Sequence, residues 1–367
     1  MARTHYRAAV MPAPRAPIEV REFPAPQLAE GEAVLETIYS EVCGTDVHLH
    51  HGRLSGVPYP LIPGHVSVGR IAEMRGQHSA VDGAPIREGD AVAFLDVHGT
   101  CYACYECLVV KQTTRCPHRR VYGVTYGARE GLLGGWSEAI WMRQGVHMLP
   151  LPSGLTPETY IGGGCGLVTA THAVERGEVR LGQSVAVLGV GPVGLSVVAL
   201  ASLAGAEQVF AVGAPAARLS FASRMGATMM LGLDMPVMDR AARVRAATGG
   251  RGVDVVIEAS GSPDAVAQGL DLVRDGGRMV IAGHYTDNGP VTIDPHGQVN
   301  RKHVEIRGCW GADYSHFYRA LKLAARFGDR VPWSAMAAKR FPLDECGSAL
   351  AAIEQQTAIK AVIDPRG

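Results

Sequence analysis

One segment of the chain constrains the fold more than any other. Residues 184–206 read SVAVLGVGPVGLSVVALASLAGA, which is an apolar run, a glycine-rich turn and a stretch of small apolar residues. The first run is typical of a buried strand, and the last is typical of a helix that packs closely on a sheet. A strand, a glycine turn and a helix in this order predict the first unit of a doubly wound α/β domain.

The glycines of this turn follow the pattern G-x-G-x-x-G, at Gly189, Gly191 and Gly194. The first permits a tight turn, the second lets the backbone approach a pyrophosphate, and the third lets helix and strand pack closely. The helix start, with Pro192 and Val193, offers free N–H groups and a dipole that favours anions. We therefore predict a dinucleotide site here. A glycine turn in an α/β fold that binds no nucleotide is the alternative.

The end of the next strand bears on which dinucleotide binds. About twenty residues after such glycines, Asp or Glu usually contacts the adenosine ribose. Here the chain reads VFAVGAPAARL, so Gly213 stands where the acid would be, and nothing there would repel a 2′-phosphate. Arg218 is a candidate phosphate partner, with stacking on adenine or a solvated helix position as its alternatives. NAD and NADP both remain open, with a slight lean to NADP.

The pattern of the chain changes near residue 155. Before it, short β-type runs such as AVLETIYS (33–40) and DAVAFL (90–95) alternate with turn residues, which predicts a compact β domain. After it, apolar runs such as QVFAVG (208–213) and VDVVIEASG (253–261) alternate with helix-like runs such as ARLSFASRMGA (217–227). This alternation predicts a parallel sheet covered on both faces. The predicted fold class is therefore α/β, with a Rossmann doubly wound parallel sheet plus a β-rich domain.

Four cysteines lie close together, at Cys101, Cys104, Cys107 and Cys116. Thiolates at this spacing can surround a zinc ion in a tetrahedral shell of four sulfur ligands. Such a shell is closed to substrate, so we predict a structural zinc site. A disulfide pair or uncoordinated thiols are the alternative, but two residues between successive cysteines are typical of zinc sites.

Composition excludes several classes of function. The formal net charge is zero, with 35 basic and 35 acidic side chains, so no electrostatic basis exists for binding nucleic acid or an anionic membrane. No apolar run has the length needed to span a bilayer, and the first residues lack the pattern of a secretion signal. Eight cysteines without such a signal indicate a reducing compartment, and we predict a cytoplasmic protein.

Six motifs in sequence order resemble those of one known family. Besides the four cysteines and the glycine turn, they are V-C-G-T-D-V-H (42–48), P-G-H (63–65), G-C-G-L-V-T-A (164–170) and E-A-S-G (258–261). Over nearly its whole length the chain resembles the zinc-dependent medium-chain alcohol dehydrogenases. The resemblance implies a β-rich GroES-like catalytic domain with both zinc sites at 1–153 and 298–367, and a Rossmann domain at 154–297. It also implies that a cleft between these domains holds the catalytic zinc and the nicotinamide.

The same resemblance implies a second, catalytic zinc. Cys43, His65 and Cys165 match its three protein ligands in the family, whose Cys₂His shell is well known, and water or the substrate oxygen would take the fourth position. For His65 alone, a hydrogen-bonded core histidine would be the ordinary interpretation. For Cys165 alone, it would be a small buried residue.

Further residues match positions with known roles in the family. Thr45 and His48 match a relay that carries the alcohol proton to solvent, with a turn residue and a surface histidine as alternatives. Asp46 resembles a residue that orients a ligand imidazole, or it is an ordinary helix-start Asp. Thr169 resembles the residue that packs against the nicotinamide. Lys360 resembles a basic residue near the pyrophosphate, with a solvated lysine as the alternative.

Two positions depart from the family pattern. The family commonly has Glu after the P-G-H histidine, whereas this chain has Val66, which leaves the metal site more positive. We hypothesise that Val66 changes the ease of ligand exchange at zinc, so that Val66→Glu alters turnover without altering zinc content; simple packing is the alternative. Eight residues separate Cys107 from Cys116, where the family more often has seven. One extra loop residue is easily absorbed.

The resemblance predicts a zinc-dependent oxidoreductase. It would transfer a hydride between a primary or secondary alcohol and NAD(P), giving an aldehyde or ketone. Within the family, a polyol- or threonine-type dehydrogenase is the alternative. From another class, the alternative is a catalytically inactive zinc- and nucleotide-binding protein. The partner would be a small-molecule alcohol or carbonyl compound, and the family suggests a homodimer or homotetramer.

Overall fold

The structure, a computed structural model, describes residues 3–367 and contains two compact units. The first unit contains the chain up to Gly164 together with Asp313–Asp329 and Trp333–Gly367. The second unit contains Cys165–Ala312 and Arg330–Pro332.

The regular elements have the following bounds. The strands are β1 (His5–Val10), β2 (Glu19–Pro24), β3 (Ala33–Val42), β4 (Ser67–Met74), β5 (His78–Ser79), β6 (Pro85–Ile86), β7 (Ala91–Phe94), β8 (Val97–His98), β9 (Arg120–Val121), β10 (Ala139–Met142), β11 (Met148–Pro150), β12 (Ser184–Leu188), β13 (Gln208–Gly213), β14 (Met229–Gly232), β15 (Val253–Glu258), β16 (Val273–Ile281), β17 (Glu305–Gly308), β18 (Lys339–Pro342) and β19 (Ala361–Asp364). The helices are α1 (Gly44–His50), α2 (Tyr105–Leu108), α3 (Pro157–Gly177), α4 (Pro192–Leu203), α5 (Ala216–Arg224), α6 (Val237–Ala247), α7 (Pro263–Leu272), α8 (Tyr314–Phe327), α9 (Trp333–Met336) and α10 (Cys346–Glu354).

The second unit is built on six parallel strands. Their order across the sheet is β14-β13-β12-β15-β16-β17, so the chain starts in the middle, moves to one edge and then to the other. This reversal creates a switch point between β12 and β15, where the loops that follow the two strands diverge. The predicted Rossmann doubly wound parallel sheet is confirmed.

Apolar strands and the helices that cover them form the core of this unit. Every residue of β12 after Ser184 is buried, which explains why its sequence is continuously apolar rather than alternating. Side chains of Phe210, Val256, Leu270 and Met279, from strands and from α7, pack into one buried cluster. The sheet is therefore a rigid base for the loops at its carboxyl edge.

The first unit contains a seven-stranded sheet in which β3 has the central place. The strand order is β11-β7-β4-β3-β19-β18, and β10 also pairs with β3. The pairs are antiparallel except for β18 and β19. Three two-stranded ladders, β1–β2, β5–β6 and β8–β9, complete the β structure of this unit. The expected β-rich domain is present.

The register of β3 against β4 determines which loops meet. Ser40 lies opposite Ser67 at the end of β3 and the start of β4. The two strands are antiparallel, so the residue after β3 and the residues before β4 leave the sheet at the same edge. Cys43 directly follows β3, and His65 lies two residues before β4. The pairing thus brings two distant parts of the sequence to one place.

The helices follow from local signals in the sequence. Helix α8 begins after Asp313, whose carboxylate accepts hydrogen bonds from the backbone amides of Ser315 and His316. Pro192 is the first residue of α4, where a missing N–H costs nothing. Among residues 3–367, no helix combines the length and apolar composition needed to cross a membrane.

The two units divide the chain at different points from the predicted domains. Residues 154–164 belong to the first unit, and residues 298–312 belong to the second. The second difference has a clear cause, because β17 pairs in parallel with β16 and extends that sheet. The segment of β17 is short and largely exposed, so its sequence lacks the continuous apolar pattern of the other strands. The predicted domain bounds therefore stay a prediction.

We expect Gly194→Ala to destabilise the second unit. A Cβ at Gly194 would overlap the carbonyl oxygen of Gly189, because α4 packs closely on the turn. Overpacking of this kind typically lowers the free energy of unfolding by about 1–3 kcal/mol. Gly347→Ala in α10 is the matched control, because no atom lies within 4 Å of a Cβ there. It should be neutral or stabilise by roughly 0.4–1 kcal/mol. Urea unfolding measures both, and a wild-type midpoint for Gly194→Ala would contradict the close packing.

Candidate active site

Three side chains expected to bind a catalytic metal lie together in the structure. The ligand atoms of Cys43, His65 and Cys165 all lie within 4.8 Å of one another. The register of β3 and β4 brings the first two together. Cys165 directly follows Gly164, the last residue of the first segment of the first unit. Its position is therefore determined by the path of the chain at Gly164.

Cys165 reaches this position because α3 is interrupted. Gly164 has φ 46° and ψ −142°, which is not helical, and it lies one residue before the ligand. A positive φ of this kind is readily adopted only by glycine. The chain therefore turns at Gly164, and Cys165 lies at the start of the helical segment that follows.

Asp46 supports two of the ligands through the backbone. Its Oδ2 accepts a hydrogen bond of 2.8 Å from the amide of Cys43, and its Oδ1 accepts one of 3.4 Å from the amide of Gly64. The first amide belongs to the ligand Cys43, and the second belongs to Gly64, which directly precedes the ligand His65. Asp46 was expected to orient the imidazole of His65, but its hydrogen bonds go to these amides instead. It also lies in the first turn of α1, so the helix-start interpretation holds as well.

Negative charge dominates the surroundings of His65. Burial lowers the pKa of His65, but a hydrogen bond and the charge of Cys43, with Asp46 and Asp96, outweigh burial and raise it to about 10. Burial raises the pKa of Asp46 to about 7, against the opposing effects of His65 and the two backbone amides. Cys43, Asp46 and Asp96 thus stabilise the protonated, positively charged form of the His65 imidazole. The same groups favour any positive charge at this position. A divalent cation would supply that charge.

The donor atoms fit zinc. Two thiols and one imidazole form a borderline-soft set, and three protein ligands are the number typical of catalytic zinc sites. His65 is 5% exposed, and its Nδ1 has no hydrogen-bond partner within residues 3–367. A buried polar atom without a partner is costly unless another group satisfies it. The hydrogen bond between His65 and Cys43 therefore uses Nε2, which is the ring nitrogen that faces the thiols and could bind a metal.

Thr45 and His48 lie three residues apart in α1, on one face of the helix. Both are half-buried, and the Nδ1 of His48 has no hydrogen-bond partner in the described part of the chain. Burial, together with the charge of Arg53, lowers the pKa of His48. The imidazole is therefore neutral near pH 7 and can accept a proton.

The four cysteines of residues 101–116 form a second group. Their sulfur atoms all lie within 4.8 Å of one another, and no other protein donor is needed to complete a tetrahedral shell. The amide of Cys101 donates to the sulfur of Cys116 at 3.4 Å, and the amide of Ala103 donates to that of Cys101 at 3.4 Å. All eight cysteines of the chain are free thiols, so the disulfide interpretation is wrong.

The glycine turn has the geometry that a dinucleotide needs. Gly189 has φ 114°, and a Cβ there would lie 2.8 Å from the backbone of Ala259. Gly191 caps α4, which continues with Pro192 and Val193, and no atom lies within 4 Å of a Cβ at Gly191. The backbone is therefore open at the helix N-terminus, where its N–H groups favour a phosphate.

Other residues expected near the cofactor occupy different settings. Thr169 lies one turn after Cys165 in α3, with its Oγ1 3.9 Å from Sγ. Gly213 ends β13, and a Cβ there would lie 2.6 Å from Val190 Cγ2. An acidic side chain at this position would require Val190 to move. Arg218 is half-buried in α5, and burial lowers its pKa, although a guanidinium stays charged near neutral pH.

Lys360 contacts protein groups that its sequence position did not suggest. It is 1% exposed, so it is not a solvated lysine. Its Nζ donates to Glu41 Oε1 at 2.6 Å and to the carbonyls of Ile161 and Gly163 at 3.3 Å and 3.1 Å. These three acceptors use the three protons of the ammonium group. A contact between Lys360 and a pyrophosphate would have to break this arrangement.

Sequence reasoning did not identify what the acid of the E-A-S-G motif does. Glu258 ends β15 and is fully buried. Its Oε1 accepts hydrogen bonds from the amides of Ser260 and Gly261 at 2.6 Å and 2.7 Å, and its Oε2 accepts one from Gly283 at 3.1 Å. The carboxylate thus fixes the loops after β15 and β16 beside the switch point. The signal in the sequence was an acid at the end of an apolar strand.

Known proteins resemble this chain over nearly its whole length. Residues 29–153 match the family model "Alcohol dehydrogenase GroES-like domain", and residues 192–326 match "Zinc-binding dehydrogenase". The chain is 32% identical over 366 residues to 5-exo-hydroxycamphor dehydrogenase of Pseudomonas putida, covering 98% of each chain. It is 31% identical over 330 residues to L-threonine 3-dehydrogenase of Bacillus subtilis, covering 88% of each. An alcohol dehydrogenase structure from Thermotoga maritima has a TM-score of 0.94 at 30% identity, covering 98% of this chain and 99% of that chain.

We expect the two cysteine groups to respond differently to substitution. Cys165→Ser should remove one zinc per chain and abolish activity with little change in melting temperature, because three-ligand sites serve chemistry. Cys116→Ser should also remove one zinc but lower the melting temperature, because a closed four-sulfur site contributes folding energy. Metal analysis and thermal unfolding measure these effects. Equal melting temperatures for the two variants would contradict the assignment of separate roles.

Proposed function

Because the chain belongs to the zinc-dependent medium-chain alcohol dehydrogenase family, we propose that Cys43, His65 and Cys165 hold its catalytic zinc. The protein is an enzyme that transfers a hydride between an alcohol and a nicotinamide dinucleotide. The observation that supports these ligands is the meeting of three sulfur and nitrogen donors, from separate parts of the sequence, within 4.8 Å. A catalytically inactive binding protein is not supported, since the relatives are named as dehydrogenases.

The chain's own groups prepare the reaction. When bound, zinc would make the alcohol hydroxyl more acidic, and the nicotinamide would accept the hydride. The two thiolates balance the charge of a divalent ion, and the imidazole of His65 binds as a neutral ligand. Asp46 holds the backbone at Cys43 and Gly64, so the ligands keep their places while the substrate exchanges.

We propose that Thr45 and His48 move the proton that the alcohol loses. The Oγ1 of Thr45 accepts this proton and passes its own to the imidazole of His48, which releases it to solvent. Two features support the pathway: both residues share one face of α1, and His48 is neutral near pH 7 because burial lowers its pKa. His48 is only half-buried, so its imidazole can exchange a proton with water.

The enzyme's cofactors are zinc and a nicotinamide dinucleotide, and we propose NADP as the preferred form. The support is the packing of Gly213 against Val190, which leaves no space for an acid that would repel a 2′-phosphate. Arg218, on the helix that follows, is the proposed partner of that phosphate. A guanidinium binds phosphate strongly because its N–H groups match the oxygens in pairs.

We further propose a primary or secondary alcohol as the substrate. One relative is named for 5-exo-hydroxycamphor and another for L-threonine, so a polyol- or threonine-type activity is the second candidate. A panel of alcohols and carbonyl compounds, assayed with both cofactors at the nicotinamide absorbance, separates these candidates. A homodimer or homotetramer and a cytoplasmic location stay predictions from the sequence.

Thr45→Ala should slow turnover without preventing cofactor binding. Loss of a positioned proton acceptor typically costs roughly 10²–10⁴-fold in rate. Thr45→Ser keeps the hydroxyl and is the matched control, so it should retain most of the wild-type kcat. Steady-state kinetics on the best alcohol of the panel, with zinc content measured in parallel, give the result. Equal kcat for Thr45→Ala and Thr45→Ser would refute the proton role of Thr45.

Arg218→Ala should weaken NADP binding and leave NAD binding nearly unchanged. Losing charge-assisted hydrogen bonds to a phosphate, worth about 1.5–3 kcal/mol, would raise the dissociation constant about 10–100-fold. Arg224→Ala is the control, since Arg224 is an exposed arginine at the end of the same helix. Titration of each cofactor by fluorescence measures the effect. A similar loss for both cofactors would argue against a 2′-phosphate contact.

A further inference from the structure

A fully buried ion pair lies beside the group of Cys43, His65 and Cys165. The Nζ of Lys360 is 2.6 Å from Oε1 of Glu41, and the two side chains are 0% and 2% exposed. The partners are 319 residues apart in sequence and meet because β19 pairs with β3. Burying two charges carries a large desolvation cost, and their mutual attraction often fails to recover this cost. Stability alone therefore does not explain the pair.

Lys360 also holds the end of a helical segment. Its Nζ donates to the carbonyls of Ile161 and Gly163, which precede the interruption of α3 at Gly164. The last carbonyls of a helix have no partner within the helix, and a cation at this end is favourable. The ammonium group thus stabilises the place at which the helix stops, two residues before Cys165.

The ion pair occupies the space beside Gly164. A Cβ at this glycine would overlap Oε2 of Glu41 and would lie 2.6 Å from Nζ of Lys360. The positive φ of Gly164 and the absence of a side chain there are both required for this contact. The pair and the turn therefore fit one another, and the turn sets the direction in which Cys165 leaves.

Glu41 is connected with the other two ligands as well. It lies in β3, two residues before Cys43. Its amide donates to the carbonyl of Val66 at 2.9 Å, and Val66 directly follows His65. Its carbonyl accepts the indole N–H of Trp136 at 3.3 Å, a side chain that is fully buried. One residue thus contacts or neighbours the chain segments of all three ligands.

We propose that Glu41 and Lys360 are positioning residues that hold Cys165 against Cys43 and His65. This inference rests on the proposed function, in which these three residues bind the catalytic metal. The pair contributes no ligand of its own. Its hydrogen bonds to Ile161 and Gly163, and its contact with Gly164, keep the thiol of Cys165 within reach of the metal.

The Glu41→Gln/Lys360→Met double variant tests this inference. The pair is neutral as a whole, so the double variant leaves the local net charge unchanged while it removes the ion pair and the ammonium's hydrogen bonds. Zinc release from the holoenzyme to a chromophoric chelator is followed over time, and Cys165→Ser identifies the phase that belongs to the three-ligand site. Loss of groups that orient ligands typically costs 10–100-fold in metal affinity, so we expect that phase to be about tenfold faster or more. The phase from the four-cysteine site should not change.

Two further variants make the result specific. Gly164→Ala keeps both charges but disturbs the same turn, so it should also accelerate zinc release from the three-ligand site. This variant provides the test if the double variant does not fold. Arg240→Met is the control, because Arg240 is another buried cation, 5% exposed, that donates to backbone carbonyls of the second unit. It should lower the melting temperature without changing zinc release.

The outcomes separate the inference from the proposed function. Wild-type release of the three-ligand zinc by the double variant and by Gly164→Ala would overturn the positioning role and leave the metal site intact. Acceleration by Arg240→Met to the same extent would also overturn it, because general loosening would then suffice. If wild type and Cys165→Ser contain the same amount of zinc, the proposed metal site itself fails, and the inference fails with it.

Discussion

The pairing of β3 with its neighbours is the constraint on which the first unit depends. Its antiparallel register with β4 places Ser40 opposite Ser67, and that single alignment brings the loops of Cys43 and His65 together. A slip by one residue would turn every side chain of the strand to the opposite face. The pairing of β19 on the other side brings Lys360 to Glu41. The proposed metal site thus depends on strand register as well as on the interruption of α3 at Gly164.

The second unit depends on a comparable local constraint, the glycine turn after β12. Gly189 adopts a conformation that side chains disfavour, and Gly194 lets α4 lie against the turn. The open backbone at Gly191 lies at the switch point of the sheet, where α/β proteins bind ligands. Glu258 then ties the neighbouring loops to the same edge. Close packing at Gly194 and the loops fixed by Glu258 thus surround an open backbone at Gly191.

Much of the fold was predictable because it is encoded in short segments. The apolar runs of β12, β13 and β15 predicted a doubly covered parallel sheet, since only strands buried on both faces lack alternation. The edge strand β17 was not predicted, because an exposed four-residue strand carries no such pattern. The ligand candidates Cys43, His65 and Cys165 came from motif resemblance, and the structure brings their donor atoms together. The contacts of Asp46 with Gly64 and of Lys360 with Glu41 were not predicted, and the roles expected for these residues stay predictions.

The sequence by itself determined the features that depend on near neighbours: the strand, turn and helix at residues 184–206, and the cysteine spacing at residues 101–116. In both segments, the glycines or cysteines lie close together in sequence. Their spacing alone therefore restricts which local structure the segment can form and which ligand it can bind. Tertiary structure alone decided that Lys360 would pair with Glu41, 319 residues away, and that Asp46 would also accept from the amide of Gly64. Those contacts follow from strand register and from the cost of leaving buried charges unpaired, and no short segment records either.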